Sequence, residues 1–355
     1  MMKVYIRSAA CISPQKTFNS TSFLDKLVTY EDNKLTCIEP DYSEVIDPRV
    51  IRRMSRVIKM SVVSAVACLK QARVANPDAI VTGTAYGCLE DTGTFLASMV
   101  EQDEDPITPT AFVQSTHNTI GAQIALLIKC KGYNNTFVSG GASFENALSD
   151  SMMLLAEKNN ANILVGGMDE ITDMSHAVLT RLGLYKRQPV SNINLFEAKS
   201  KGTINGEGSA FFLLANSATE GDLACIDAVS TFYKPVDITE TTEQVTSFLA
   251  AEGVDKNDID LLITGNNGDE KNDAVYSALQ HSVFDSIPTV NYKNLCGEYP
   301  TSTAFALWIG AKMIKTNSIP AILNEGTAIA TPIKKVLIYN HYQNSYHSLI
   351  LLSAC

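Results

Sequence analysis

The sequence predicts a layered α/β fold, in which helices cover the faces of sheets. Three observations carry this. Short β-rich runs alternate with segments of helical period along the chain, and clusters of Gly, Asn and Asp separate them. The apolar stretches 147–155 and 304–313 show so little polar surface that they call for burial between two layers. The composition agrees, since 45% of the 355 residues are hydrophobic and only 19% are charged. Ordinary globular domains carry about 25% charged residues, so much of this chain belongs in a large core or interface.

Taken in order, strands are expected over 4–6, 79–82, 135–138, 163–165 and 210–214. Between the first two, Met54, Ile58, Val62, Ala65 and Leu69 recur at helical spacing and share one face. Later strands fall over 224–232, 261–264, 289–291, 336–339 and 348–352, with helices over 239–251, 273–280 and 302–314. No low-complexity or charge-run linker divides the chain, so its halves are expected to share one sheet system. A weak internal repeat shows in two strand–loop–helix units, 136–155 and 289–314, each with a small-residue loop before a mostly apolar helix.

Charge and cysteine usage narrow the function classes. With 28 Lys+Arg against 38 Asp+Glu the net charge is −10, and there is no basic stripe, which argues against nucleic-acid binding. The eight cysteines are scattered with neither a C-x-x-C pair nor zinc-ligand spacing, so they read as reduced thiols of a cytoplasmic protein, and no metal or cofactor is expected. Arg7 breaks the apolar run at the start, and nowhere do about 18 apolar residues follow one another. Neither secretion nor a membrane span is expected. The stretch Gly202-Thr203-Ile204-Asn205-Gly206-Glu207-Gly208 lacks phosphate-loop spacing and leads into a strand, which disfavours a nucleotide site.

Five segments in fixed order carry a resemblance. They are the opening strand and turn over 4–13; Gln114-Ser115-Thr116 with the apolar 120–128; Val165-Gly166-Gly167-Met168-Asp169-Glu170; Asn205-Gly206-Glu207-Gly208 within 202–214; and the strand running into Lys293. Together they resemble the β-ketoacyl-acyl carrier protein synthase (ketosynthase) family. The resemblance implies a thiolase-like fold with duplicated α/β halves in an α-β-α-β-α arrangement, divided here at 1–215 and 216–355. In that family a cysteine at a helix N-terminus takes the acyl chain, helped by the helix dipole. Two histidines and a lysine then assist decarboxylation of the malonyl unit and stabilise the enolate.

The same resemblance assigns each catalytic position. The nucleophile should lie 28 residues before Asp169 and nine after Gly132, and both counts reach Gly141, with no cysteine in the surrounding 138–144. Glycine offers no nucleophile. The first histidine should follow the strand 261–264, where Gly265 stands, in a loop closed by an aspartate, here Asp273. The second should lie five residues after Lys293, where Glu298 stands. The glycine-rich gate loop is replaced by Tyr342, Gln343 and Asn344. Only Lys293 is retained, a pattern similar to the chain length factor, a degenerate subunit paired with an active ketosynthase. Ala111, Phe112, Gln114, Thr116, His117, Asn118 and Thr119 would then line an interface and the partner's acyl pocket. The implied partners are an active ketosynthase or a second copy of this chain, with an acyl carrier protein in addition.

Other readings of the same residues stay open. Lys293 and Glu298 suit a buried ion pair, since a lone buried charge is costly. Cys296, between them, or Ser143 could serve as a relocated nucleophile in an active acyltransferase or condensing enzyme. Ser139 and Ser143 have no histidine neighbour nearer in sequence than His117. A homodimeric acyl-binding protein is a third reading. Asp269, Glu270 and Asp273 fit the start of a helix better than a metal site. Arg49, Arg52, Arg53 and Arg56 form a basic cluster that suits either a carrier protein or a solvated helix face.

Overall fold

The computed structural model describes residues 3–20, 22–52, 54–101, 109–198, 200–323 and 332–355. Ten principal strands occur in chain order: β1 (Val4–Ile12), β2 (Ala79–Gly83), β3 (Tyr133–Phe137), β4 (Asn162–Asp169), β5 (Gly208–Ala215), β6 (Ala224–Tyr233), β7 (Leu261–Thr264), β8 (Thr289–Asn291), β9 (Lys335–Tyr342) and β10 (Tyr346–Ser353). The principal helices are α1 (Arg56–Ala72), α2 (Leu89–Glu101), α3 (Thr119–Ile128), α4 (Ser143–Glu157), α5 (Asp173–Leu182), α6 (Ile238–Ala251), α7 (Glu270–Ser282) and α8 (Thr303–Thr316).

The strands join into one hydrogen-bonded run in the order β8-β7-β9-β10-β6-β1-β5-β4-β2-β3. The first five strands stand in the order 3-2-4-5-1, and the second five repeat it. In each set the second strand is parallel to the third and fourth, while the fifth runs antiparallel to the fourth and first. Among the described residues the two sets pair by strand hydrogen bonds only through β1 and β6, at Val4↔Ile226, Tyr5↔Cys225 and Ile6↔Ala224. The repeat expected from two strand–loop–helix units thus extends to the topology of both sets.

Strand alternation sorts side chains into layers, because successive residues face opposite sides. Val81, Val165, Phe212, Ile263, Ile338 and Ile350 point into a central core that also holds α4 and α8. Their neighbours Ile80, Leu164, Phe211 and Leu213 face an outer core under α1 and α3. Leu262, Leu337, Leu349 and Leu351 face another under α6 and α7. Five layers, α-β-α-β-α, result. Helix α8 is buried from Thr303 to Ala311, as its lack of polar surface demands. Helix α4 departs from that expectation: Met153 is 60% exposed, so only one of its sides is sandwiched. Glycine permits close contact there, since a Cβ on Gly167 would overlap the Phe144 ring and Ala304.

Element boundaries shift modestly. Helix α7 begins at Glu270, earlier than expected, because Asp269 caps it by accepting from the backbone N–H groups of Lys271 and Asn272. Met54 lies just before α1 but is buried with the rest of its predicted face. Because both strand sets share the central core, unfolding is expected to be a single transition by near- and far-UV circular dichroism. Phe144→Ala, which removes a fully buried ring packed on Phe212, should lower stability in denaturant titration by about 3–5 kcal/mol.

Candidate functional site

The chemistry-bearing segments converge at the carboxyl ends of the parallel strands, where clefts form in α/β sheets. After β3 the chain makes a tight turn at Gly140–Ala142 into α4. β4 ends on Asp169; β7 leads into 265–269; β8 leads into the helical turn Lys293–Cys296 and on to Glu298. The β9–β10 hairpin closes over them.

Asp169 holds this end of the molecule together. One carboxylate oxygen accepts from Thr84 Oγ1 and from the backbone N–H groups of Ala85 and Tyr86. The other accepts from the N–H and hydroxyl of Thr301. Burial still outweighs these donors and pushes its pKa up to about 6.

Lys293 and Glu298 form the ion pair expected of them, 2.6 Å apart and buried, with Glu298 Oε2 also accepting from Asn267 Nδ2 at 2.6 Å. Glu298 Oε1 has no hydrogen-bond partner among the described residues. Burial raises the Glu298 pKa, and the Lys293 ammonium opposes the shift. Glu145, in the first turn of α4, was not anticipated as a site residue. It is fully buried, and neither carboxylate oxygen has a partner of ordinary hydrogen-bond geometry. Burial raises its pKa against the opposing influence of Thr303, Ser348 and Lys293. The site therefore places two buried carboxyls around one ammonium. Glu145 is the one charged residue over 132–149, and that isolation is the sequence signal by which it could have been found.

Both glycines expected at catalytic positions, Gly141 and Gly265, are enclosed by neighbours. A Cβ on Gly141 would lie 2.5 Å from the Tyr342 Cβ and 3.0 Å from its ring. A Cβ on Gly265 would collide with Asn340 Oδ1 and would lie 2.6 Å from the Tyr276 hydroxyl. Tyr342 is buried, while Gln343 (φ 54°) and Asn344 (φ 48°) adopt the left-handed conformation of a tight hairpin. The residues expected as a bulky gate loop are thus a two-strand turn, pinned where Asn344 N–H donates to His341 Nδ1 at 3.1 Å. Ahead of this turn lies a cleft of about 610 Å³ lined by Tyr185, Lys201, Asp269, Glu298, Tyr342 and Asn344, among others.

The relocated nucleophiles find no activating partners. Ser143 Oγ accepts from the Ser139 N–H and donates to the Gly140 carbonyl, which occupies it within the turn. Cys296 is fully buried and donates to the Gly297 carbonyl, and burial drives its pKa well up despite Lys293. His117 is exposed and packs under Gly87, apart from Ser139 and Ser143.

The segment 111–119 lines no part of the Glu298 cleft. Ala111, Phe112 and Gln114 belong to a short helical turn, with Phe112 58% exposed and its ring tilted against that of Phe95 at 5.8 Å. Thr116 and Thr119 bond through their hydroxyls, and Asn118 stands at the N-cap position of α3 without a side-chain capping bond. Val113 and Gln114, with Arg49 and Arg52, border a surface groove of about 980 Å³. Arg56 is no part of that basic surface, being clamped to Glu39 and by two nitrogens to Glu207. Arg53 lies outside the described residues. Asp269 and Asp273 are engaged at the start of α7, Asp273 accepting from the N–H groups of Asn267 and Gly268. Among the described residues no group of three or more His, Cys, Asp or Glu is placed to hold a metal, and no helix is long and apolar enough to cross a membrane.

Residues 24–219 match the model of the β-ketoacyl synthase N-terminal domain. A comparison with curated protein sequences finds no match. Among solved structures, the ishigamide ketosynthase/chain length factor is similar at TM-score 0.81 and 16% identity, over 100% of this chain and 99% of that one. A β-ketoacyl synthase from Burkholderia phymatum STM815 gives TM-score 0.81 and 17% identity over all of both chains. AntDE:AntF, a type II PKS acyl-carrier protein in complex with its ketosynthase bound to the hexaketide, gives 0.75 and 13%, again over both chains in full.

Two outcomes are expected. Gly141→Ala should cost about 1–3 kcal/mol by overpacking, and in a cycle with Tyr342→Gly the two changes should couple favourably by about 0.5–3 kcal/mol. Additive effects would mean that the ring does not fill this position. Burial lifts Glu170 to about 7, so its contribution to stability is present below the unfolded carboxyl range and is lost as pH rises through about 7. In Glu170→Gln the fall in melting temperature between about pH 5 and pH 8 should shrink.

Proposed function

The chain belongs to the β-ketoacyl synthase family, and from that premise we propose that it is a catalytically degenerate, chain-length-factor-type subunit. Its partner in this reading is an active β-ketoacyl synthase of fatty acid or polyketide-type chain extension, such as polyene synthesis. The observation that carries the reading is the filling of the reaction centre. At Gly141, aligned with the nucleophile, there is no side chain to acylate and the Tyr342 ring stands against it. At Gly265 and Glu298, aligned with the histidines, stand a glycine closed in by Asn340 and Tyr276 and a carboxylate held by Lys293. An enolate formed there would face a carboxylate in place of a donor, the reverse of what transition-state stabilisation requires.

An unpaired surface supports the partner. Strand β3 ends the ten-stranded run, so one of its edges has no strand beside it. Around it and the 109–128 segment, Phe112, Val113, Leu126, Tyr133, Val138 and Met153 are exposed. Apolar exposure of this extent favours association with another protein. A second copy of this chain would use the same surface, so the homodimer is the alternative outcome of the test. Arg49 and Arg52, free of the acidic clamp that holds Arg56, give an acyl carrier protein a local basic contact on a chain of net charge −10.

Incubation with an acyl thioester or acyl-loaded carrier protein, followed by intact-mass and peptide mapping, should give no stoichiometric adduct on this chain, with an active ketosynthase as positive control. An adduct on Cys296 or Ser143 would overturn the reading and name the nucleophile. Mixed with the active ketosynthase of its own source, the chain should run as a heterodimer in size-exclusion chromatography with light scattering, and Phe112→Ala should shift the product-length distribution. A persistent homodimer with unchanged products would favour an acyl-binding protein instead.

A further inference from the structure

Two cysteines far apart in sequence meet at the centre of the sheet. Cys225 lies on β6 beside the junction of the two strand sets, paired with Tyr5 of β1 on one side and Ser353 of β10 on the other. Cys355, two residues beyond Ser353, returns its side chain over that ladder. The two Sγ atoms are 2.9 Å apart. A covalent disulfide needs about 2.05 Å, so bond formation requires only a small approach of side chains the sheet already holds together. Accessibility is divided between them: Cys225 is buried, whereas Cys355 is exposed. Of the other six, five are buried and Cys130 is partly covered. No other sulfur pair shows a comparable approach among the described residues.

We propose that Cys225 and Cys355 are an oxidation site, a dithiol that closes into a disulfide and fastens residue 355 to β6 next to the β1–β6 junction. With a low-molecular-weight disulfide as the oxidant, the exposed Cys355 thiolate attacks one of its sulfurs and expels one small thiolate. Cys225 then loses its proton to solvent and attacks the Cys355 sulfur, expelling the second. Two protein thiols have lost two hydrogens, and one oxidant molecule has become two thiols. Burial opposes ionisation of both thiols, as do Asp227 at Cys225 and Asp222 at Cys355, while Lys3 favours both thiolates and Lys315 that of Cys355. The exchange should therefore be slow at neutral pH and faster in mild alkali, where more thiolate is present. The bond would tie all three strands at the junction, since β1, β6 and β10 meet at Cys225. This inference does not depend on the proposed subunit role.

The test uses the full chain with oxidised glutathione in mildly alkaline buffer, followed by alkylation in denaturant and digestion without reductant. Mass spectrometry should find the Cys225 and Cys355 peptides linked, lighter by two hydrogens than the sum of the free thiol forms, with the other six cysteines alkylated. The oxidised protein should melt at a higher temperature, dithiothreitol should abolish the gain, and Cys355→Ser should lack both link and gain. Because Cys355 is exposed, that variant keeps its fold, and Cys225→Ser serves as the reciprocal check. Recovery of Cys355 as a glutathione adduct beside a free Cys225, as a link between two chains, or as a free thiol would overturn the assignment.

Discussion

The central core sets the terms for everything built around it. Two sheets press their inner faces on α4 and α8, and α8 must be apolar on every side because it meets a sheet in both directions. Any polar group in that layer therefore has to find its partner within it. Lys293 and Glu298 do so by pairing with each other and with Asn267. Glu145 does not: neither of its oxygens has an ordinary hydrogen bond among the described residues, and with the unpaired Glu298 Oε1 it carries an unrelieved polar cost. A buried pair of this kind is weak as a source of stability but strongly destabilising when one partner is lost. That asymmetry gives Lys293 a structural role: deleting it would leave Glu298 and Glu145 together without a counter-charge.

The candidate site follows the same packing logic. Glycine at positions 141 and 265 could have left voids, but protein interiors are close-packed, and voids are costly. Here the Tyr342 ring takes the space at Gly141, and Asn340 with Tyr276 takes it at Gly265. Tyr342 and Asn340 come from β9 and Tyr276 from α7, and they constrain one another through His341, which stacks on Tyr276 and holds the turn after Tyr342. These side chains pack as a unit.

How much of this was legible in the sequence depends on range. A strand buried on both faces announces itself as an apolar run, so β7 falls where local pattern places it; β8 also matches its expected span, and β9 and β10 extend beyond theirs at both ends, most at the hairpin. The Lys293–Glu298 pair was legible because a single turn separates the two. Helices α2 and α5 were not, since neither has a buried residue and their amphipathic faces meet across a shallow groove. The Thr172–Ser175 capping box at the start of α5 uses serine where glutamate or glutamine is the usual signal. Least legible was what fills the space beside Gly141 and Gly265. Tyr342 is about two hundred positions from Gly141, and no local pattern encodes that contact.

The single junction between strand sets has a consequence for the order in which the chain can fold on the ribosome. β1 is synthesised before its sheet partners β5 and β6, which begin at Gly208 and Ala224. A mostly apolar strand of nine residues must wait for them before it can be paired, and closing so long a loop slows assembly. During that interval β1 is a sticky unpaired strand, open to wrong partners. Its engagement completes the inner edge of the first strand set and offers β6 a template, so a strand made before its partners is among the last to be secured.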